Sequence, residues 1–108
     1  MIMNTLFVIP NCEICKEAKI AIIHVNVHLD PKERIQVVDA YSGDPRLKRV
    51  NEFFKGHTPS FPICFIEKPK VTATKYGTNT VGKDVFAIHG AFDAEHYEVM
   101  LRTLFGIY

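Results

Sequence analysis

The chain reads as a mixed α/β domain of four strands and three helices in the order β-α-β-α-β-β-α. Two observations carry that reading. Short apolar runs that read as strands stand at residues 4–9, 35–38, 62–66 and 85–88, the first of them as expected for a central strand covered on both faces. Stretches with apolar residues three and four apart follow the first, second and fourth of these runs, as helices lying on a sheet require.

Asn4 to Ile9 is nearly all apolar, and Pro10-Asn11 ends it. From Glu13 to Leu29 the period becomes helical, with Ile14, Ala18, Ala21, Ile22, Val25 and Leu29 on one stripe. Asp30-Pro31 stops that helix. Ile35 to Val38 forms the second strand. Asp44 is a good N-cap with Pro45 at the first helical position. Leu47, Val50 and Phe54 supply the buried side of that helix, and Gly56 closes it. Pro62 to Ile66 is a third strand opened by proline, and Val85 to Ile88 a fourth. Gly90 turns the chain, Asp93 caps the last helix, and Tyr97, Leu101, Leu104 and Phe105 line its apolar face. A βαβ unit is parallel and right-handed, whereas the last two strands are close enough to be antiparallel.

With 108 residues the chain is expected to make one domain over 1–108, interrupted by a long insertion at about 67–83 between the third and fourth strands. Apolar residues are 47% and charged ones 23%, ordinary for a soluble protein. Thirteen Lys and Arg against twelve Asp and Glu leave a formal charge of +1, which gives no case for a nucleic-acid or membrane surface. No apolar run approaches the roughly 20 residues of a membrane span. Met1-Ile2-Met3-Asn4 lacks the features of a signal peptide, so a reducing, cytoplasmic home is expected. Three cysteines, an odd number, argue against a structural disulfide framework.

The chemistry concentrates at Cys12-Glu13-Ile14-Cys15, placed between the first strand and the first helix. Residues three apart in a helix have β-carbons about 5–6 Å apart, close to disulfide separation. A helix N-terminus also favours the thiolate, the species that attacks disulfides. In a reducing compartment such a pair is expected to be catalytic or metal-binding. Completing a zinc site needs four ligands, and His24, nine residues beyond Cys15, lies about 13 Å along the helix. It cannot join the cysteines without a break.

The element order, the CxxC after the first strand, Ser60-Phe61-Pro62 before the third, and His89-Gly90-Ala91-Phe92-Asp93 before the last helix resemble glutaredoxins over almost the whole chain. The resemblance implies a thioredoxin-like fold of the glutaredoxin type and a dithiol–disulfide oxidoreductase. It makes Cys12 the nucleophile and Cys15 the resolving thiol. It makes the Phe61–Pro62 bond cis and gives Phe61 backbone hydrogen bonds to an extended substrate. Gly90, Phe92 and Asp93 fall where that family holds the γ-glutamyl end of glutathione. The partners implied are a disulfide-containing protein substrate and, as reductant, glutathione or a reductase. No tightly bound cofactor, resident metal, nucleic acid or membrane partner is expected. The alternative is a non-catalytic thioredoxin-fold binding module, or a carrier of an iron–sulfur cluster or metal.

The chain departs from that family at the cysteines. Glu13-Ile14 stands where many members have proline and an aromatic residue. A carboxylate beside Cys12 opposes its ionisation, and Lys16 is placed to compensate. The turn before the last helix keeps one glycine and one aspartate, where members usually have two of each.

Other residues have plainer readings. Cys64, among Ile63, Phe65 and Ile66, is expected as a small buried hydrophobe. His24 and His28 share a helical face and are expected half-exposed, while His57 and His89 lie near the expected active-site end. Ile20, Ile23 and Val27 form a second apolar patch on the first helix, expected to pack on the last helix or to make a dimer contact, leaving a monomer or weak dimer. The insertion, with Lys68, Lys70, Lys75 and Lys83, reads as a solvated segment or as an extended hairpin using Val71 to Tyr76 and Thr80-Val81. Its charge would suit an acidic partner.

Overall fold

The computed structural model describes residues 4–69, 78–82 and 85–107. Strand β1 (Thr5–Val8) leads into helix α1 (Glu13–Asn26), a 3-10 turn (Pro31–Glu33), strand β2 (Gln36–Asp39) and helix α2 (Arg46–Phe53). Strands β3 (Ile63–Glu67), β4 (Thr78–Gly82) and β5 (Val85–His89) follow, and helix α3 (Ala94–Phe105) completes the order. The strands form one mixed sheet in the order β2-β1-β3-β5-β4. Among the described residues only β1 and β2 pair in parallel; β3 is antiparallel to β1 and β5, and β4 is antiparallel to β5.

The sheet therefore has five strands where the sequence predicts four. The extra strand lies inside the insertion, whose Thr80-Val81 belongs to β4, and it extends the sheet beyond β5. A short run of threonine, asparagine and glycine has little apolar alternation in its sequence, and the strand is defined by its pairing with β5. Glu67 closes β3 rather than opening the insertion. The expected arm over Val71 to Tyr76, with Lys70, Lys75 and Lys83, lies outside the described residues.

Alternation along the strands divides the interior in two. On one face Leu6, Val8, Cys64, Ile66, Phe86 and Ile88 pack against α1 and α3. On the other, Phe7, Val38, Ile63, Phe65, Val85 and Ala87 pack under α2. The expected stripe of α1 is buried at Ala18, Ala21, Ile22 and Val25, and that of α3 at Tyr97, Leu101, Leu104 and Phe105. Burying one such aliphatic or aromatic side chain contributes roughly 1.5–3 kcal/mol. Helix α2 crosses the sheet: Arg46 reaches Gln36 of β2 at 2.5 Å, Phe53 meets the Phe65 ring edge-on, and Phe54 meets His89 of β5.

Two helix ends differ from expectation. α1 stops at Asn26 rather than Leu29, because the Asn26 side chain turns to the backbone of Ile35. Its Nδ2 donates to the Ile35 carbonyl at 3.0 Å and its Oδ1 accepts the Ile35 N–H at 2.8 Å. The chain past Asn26 tightens into three-residue bonds, His28 N–H to Val25 and Leu29 N–H to Asn26. Asp44 caps α2 from one residue further out than predicted. Its carboxylate accepts the Arg46 N–H at 2.9 Å and two bonds from the Arg46 guanidinium, while Pro45 stands at the boundary. The pair holds the Asp44 carboxyl down at about 2.

The second apolar patch of α1 does not pack on α3. Ile20, Ile23 and Val27 are 42%, 65% and 72% exposed. The two helices meet instead through the buried stripe and at their rim, where His24 Nδ1 lies 2.8 Å from Glu98 Oε1, whose other oxygen lies 3.6 Å from Arg102 within α3. No helix among the described residues is long and apolar enough to cross a membrane.

Candidate dithiol site

Three strand ends meet at one end of the sheet. The register sets Ile63 opposite both Phe7 and His89. Carried one residue further, it brings Pro62 beside Val8 and beside Gly90. The cysteine loop leaves β1 there, β3 enters there, and β5 leaves there toward α3.

Cys12 and Cys15 are joined by a disulfide, with Cα atoms 5.2 Å apart. The loop that delivers them turns at Asn11, whose φ of 56° lies in the left-handed region that asparagine tolerates. Cys12 is itself the N-cap of α1. Its backbone is extended, its Sγ accepts the Cys15 N–H at 3.1 Å, and its carbonyl accepts the Lys16 N–H at 3.3 Å. The Cys12 sulfur thus occupies the place of a capping oxygen and faces the free N–H end of the helix. Cys12 is half-buried, whereas Cys15 is 1% exposed and belongs to the core between the sheet and α1. An incoming reagent meets Cys12 first.

Glu13 and Lys16 neutralise each other. Lys16 Nζ lies 3.0 Å from Glu13 Oε1, and both side chains are well exposed. The carboxylate beside Cys12 is therefore turned toward a cation one helical turn on.

The Phe61–Pro62 peptide is cis, with Pro62 buried and Phe61 half-buried against the core under α2. Upstream, Thr58 Oγ1 donates to Asn51 Oδ1 at 2.8 Å, tying the approach to Pro62 to α2. Gly90 has φ of 123°, a conformation that a β-carbon disfavours. Its carbonyl accepts a 2.5 Å bond from Tyr97 Oη. Phe92 is half-buried and stacks edge-on against the Tyr97 ring.

Asp93 caps α3, as expected. Its Oδ1 accepts the His96 N–H at 2.9 Å and lies 2.6 Å from His96 Nδ1. These bonds hold its carboxyl below the usual range. The oxygen is thus committed to its own helix. Sequence reasoning passed over His96 and Tyr97 in this site. Aspartate followed three residues later by histidine is a legible capping pattern; the bond from Tyr97 back to Gly90 has no local signature.

His89 ends β5 half-buried against Phe54, and burial lowers its pKa. Its odd position puts it on the α2 face, whereas the cysteines pack toward α1. His57 is exposed. Among the described residues no group of three or more His, Cys, Asp or Glu side chains is gathered for a metal ion. Comparison with known proteins found no matching family model, no matching curated protein and no matching solved structure.

Proposed function

We propose that this protein is a thiol–disulfide oxidoreductase of thioredoxin-like, glutaredoxin-type construction, working in a reducing, cytoplasmic setting. The observation that supports it best is the asymmetry of the pair: a half-buried Cys12 sulfur capping α1, linked to a buried Cys15, at the sheet end where Pro62 and Gly90 stand.

The reduced dithiol acts in two displacements. The Cys12 thiolate attacks one sulfur of a substrate disulfide, forming a mixed disulfide and releasing the other substrate sulfur as a thiolate that takes a proton. Cys15 loses its proton and attacks Cys12 Sγ, which closes the Cys12–Cys15 bond and releases the second substrate thiol. Two electrons pass to the substrate. Glutathione or a reductase returns them to the pair. The helix N-terminus stabilises negative charge on Cys12 whenever it is the attacking or leaving group.

The test uses Cys15→Ser with a peptide disulfide. A mixed disulfide trapped on Cys12 and seen as an intact mass, together with loss of turnover in Cys12→Ser, is the expected result. Turnover that persists in Cys12→Ser would refute the assignment. A folded wild-type protein that reduces neither a peptide disulfide nor a glutathione mixed disulfide would make it a binding module.

A further inference from the structure

Apolar side chains stand at the dithiol on the chain that enters each of the two helices. Ile14 lies between the cysteines and continues the buried stripe of α1, Ala18, Ile22 and Val25, to the end of the helix, where it emerges half-buried. Phe92 is half-buried where the chain enters α3. Both pack against the same interior as Cys12. The register of β1, β3 and β5 sets the cysteine loop and the turn before α3 at one end of the sheet. Phe92 is also held in place: its ring meets the Tyr97 ring edge-on at 5.4 Å, and the Tyr97 hydroxyl donates to the Gly90 carbonyl.

The charges of these two segments disfavour an anion. Lys16 Nζ is taken by Glu13 Oε1 at 3.0 Å. Glu95, in the first turn of α3, is exposed. The N-terminal end of α3, where a foreign carboxylate could settle, already holds the carboxylate of Asp93. His96 Nδ1 lies 2.6 Å from that same carboxylate, and burial disfavours a charge on His89. Glutathione carries two carboxylates against one ammonium, and it would bring them to cations that are already matched. A peptide disulfide with apolar neighbours meets no such repulsion and covers Ile14 and Phe92. Specificity is the difference between two such affinities.

We propose that the dithiol selects protein disulfides flanked by apolar residues over glutathione mixed disulfides, with Ile14 and Phe92 as the selecting side chains and Tyr97 positioning Phe92. This selectivity rests on the redox activity proposed above and gives that activity its substrate class.

The test is the rate at which the reduced protein reacts, in a single turnover, with three disulfides: a peptide disulfide flanked by leucine, the same peptide flanked by glutamate, and the mixed disulfide of glutathione with 2-mercaptoethanol. Each rate is divided by the rate at which iodoacetamide alkylates Cys12, which removes differences in thiolate reactivity. The wild type is expected to favour the leucine peptide over the other two by about tenfold, the lower end of what one apolar contact decides. Ile14→Ser and Phe92→Ser should each lower that preference severalfold, Phe92→Leu should keep it, and Tyr97→Phe should lower it with Phe92 still present. Ile14→Lys should turn it toward the glutathione disulfide. A wild type that reacts with all three at similar rates, or fastest with either of the other two, overturns the proposal and leaves the redox reading standing. A preference that survives in both Ile14→Ser and Phe92→Ser overturns the choice of these residues. A folded wild type that reacts with none overturns the redox reading, and this selectivity with it.

Discussion

Tyr97 Oη donates to the carbonyl of Gly90 across seven residues at 2.5 Å. The bond joins the first turn of α3, through its buried Tyr97, to the turn leaving β5. Gly90 has a backbone conformation that few residues adopt, and Tyr97 supplies the partner its carbonyl needs. Burial, together with the neighbouring Cys64, raises the phenol's pKa and keeps it a donor.

Tyr97→Phe removes that donor while keeping the ring against Phe92. The expected cost is about 1 kcal/mol, the usual net value of one such bond, read as a lower urea midpoint with an unchanged slope. Amide exchange across residues 90–93 should quicken more than exchange in β1 or β3. An unchanged midpoint and unchanged local exchange would mean that the bond contributes nothing.

The Glu13–Lys16 pair yields a second prediction. Removing the cation in Lys16→Gln leaves the carboxylate of Glu13, the residue next to Cys12, without its cation, so alkylation of reduced Cys12 by iodoacetamide at neutral pH should slow. Glu13→Gln should quicken it. Each change is expected to be a factor of about two to five, the scale of an exposed ion pair, and high salt should compress both. The double variant should return close to the wild-type rate. Independent effects of the same sign would show that the pair does not act as a pair.

Some of this arrangement was legible in the residues. The apolar runs located β1, β2, β3 and β5 to within a residue or so at either end: β1, β3 and β5 are central strands whose burial composition records, and β2, an edge strand buried only at Val38, still shows as a short β-branched run. The cap at Asp93 was legible as well, since capping is local chemistry, whereas Cys12 was placed at the start of α1 without being read as its cap. Strand β4 was partly hidden: Thr80-Val81 suggested a strand, but its residues acquire order by pairing with β5. The end of α1 was misplaced by three residues because Asn26 answers to Ile35, a tertiary partner. The outward Ile20, Ile23 and Val27 were seen as a patch, yet whether α3 covers them depends on how the two helices cross.

Two carboxylates should set the acid limit of stability. Asp44 is held at about 2 by Arg46 hydrogen bonds, well under its ordinary 3.8, and Asp93 is lowered by the N–H and ring of His96. A depressed carboxyl contributes stability that is full above its unfolded value and is lost as pH falls toward its folded one. Urea midpoints should therefore fall below about pH 4 and continue falling toward pH 2. Asp93→Asn keeps an acceptor for the His96 N–H but cannot titrate, so it should flatten part of that fall. Asp93→Ala should lower Tm by a few degrees even at neutral pH through loss of the cap. An acid profile identical in wild type, Asp93→Asn and Asp44→Asn would exclude both groups.

Cys64 answers to opposite rules from Cys12, although both are thiols in one small domain. It is buried in β3, two residues past Pro62, and burial pushes its thiol up to about 12 from 9.0. In the reduced native protein iodoacetamide should modify Cys12 fast and Cys64 only once urea unfolds the chain. The raised value also acts on stability: the contribution is full below pH 9, the unfolded value, and is lost as pH rises through about 12. Cys64→Ala should start from a lower midpoint, because it leaves a small cavity, yet lose less of that midpoint between pH 9 and pH 11 than the wild type. Tyr97, also raised, leaves a residual alkaline fall in the variant. Native-state alkylation of Cys64 at a rate comparable to Cys12 would show that β3 opens far more readily than its burial implies.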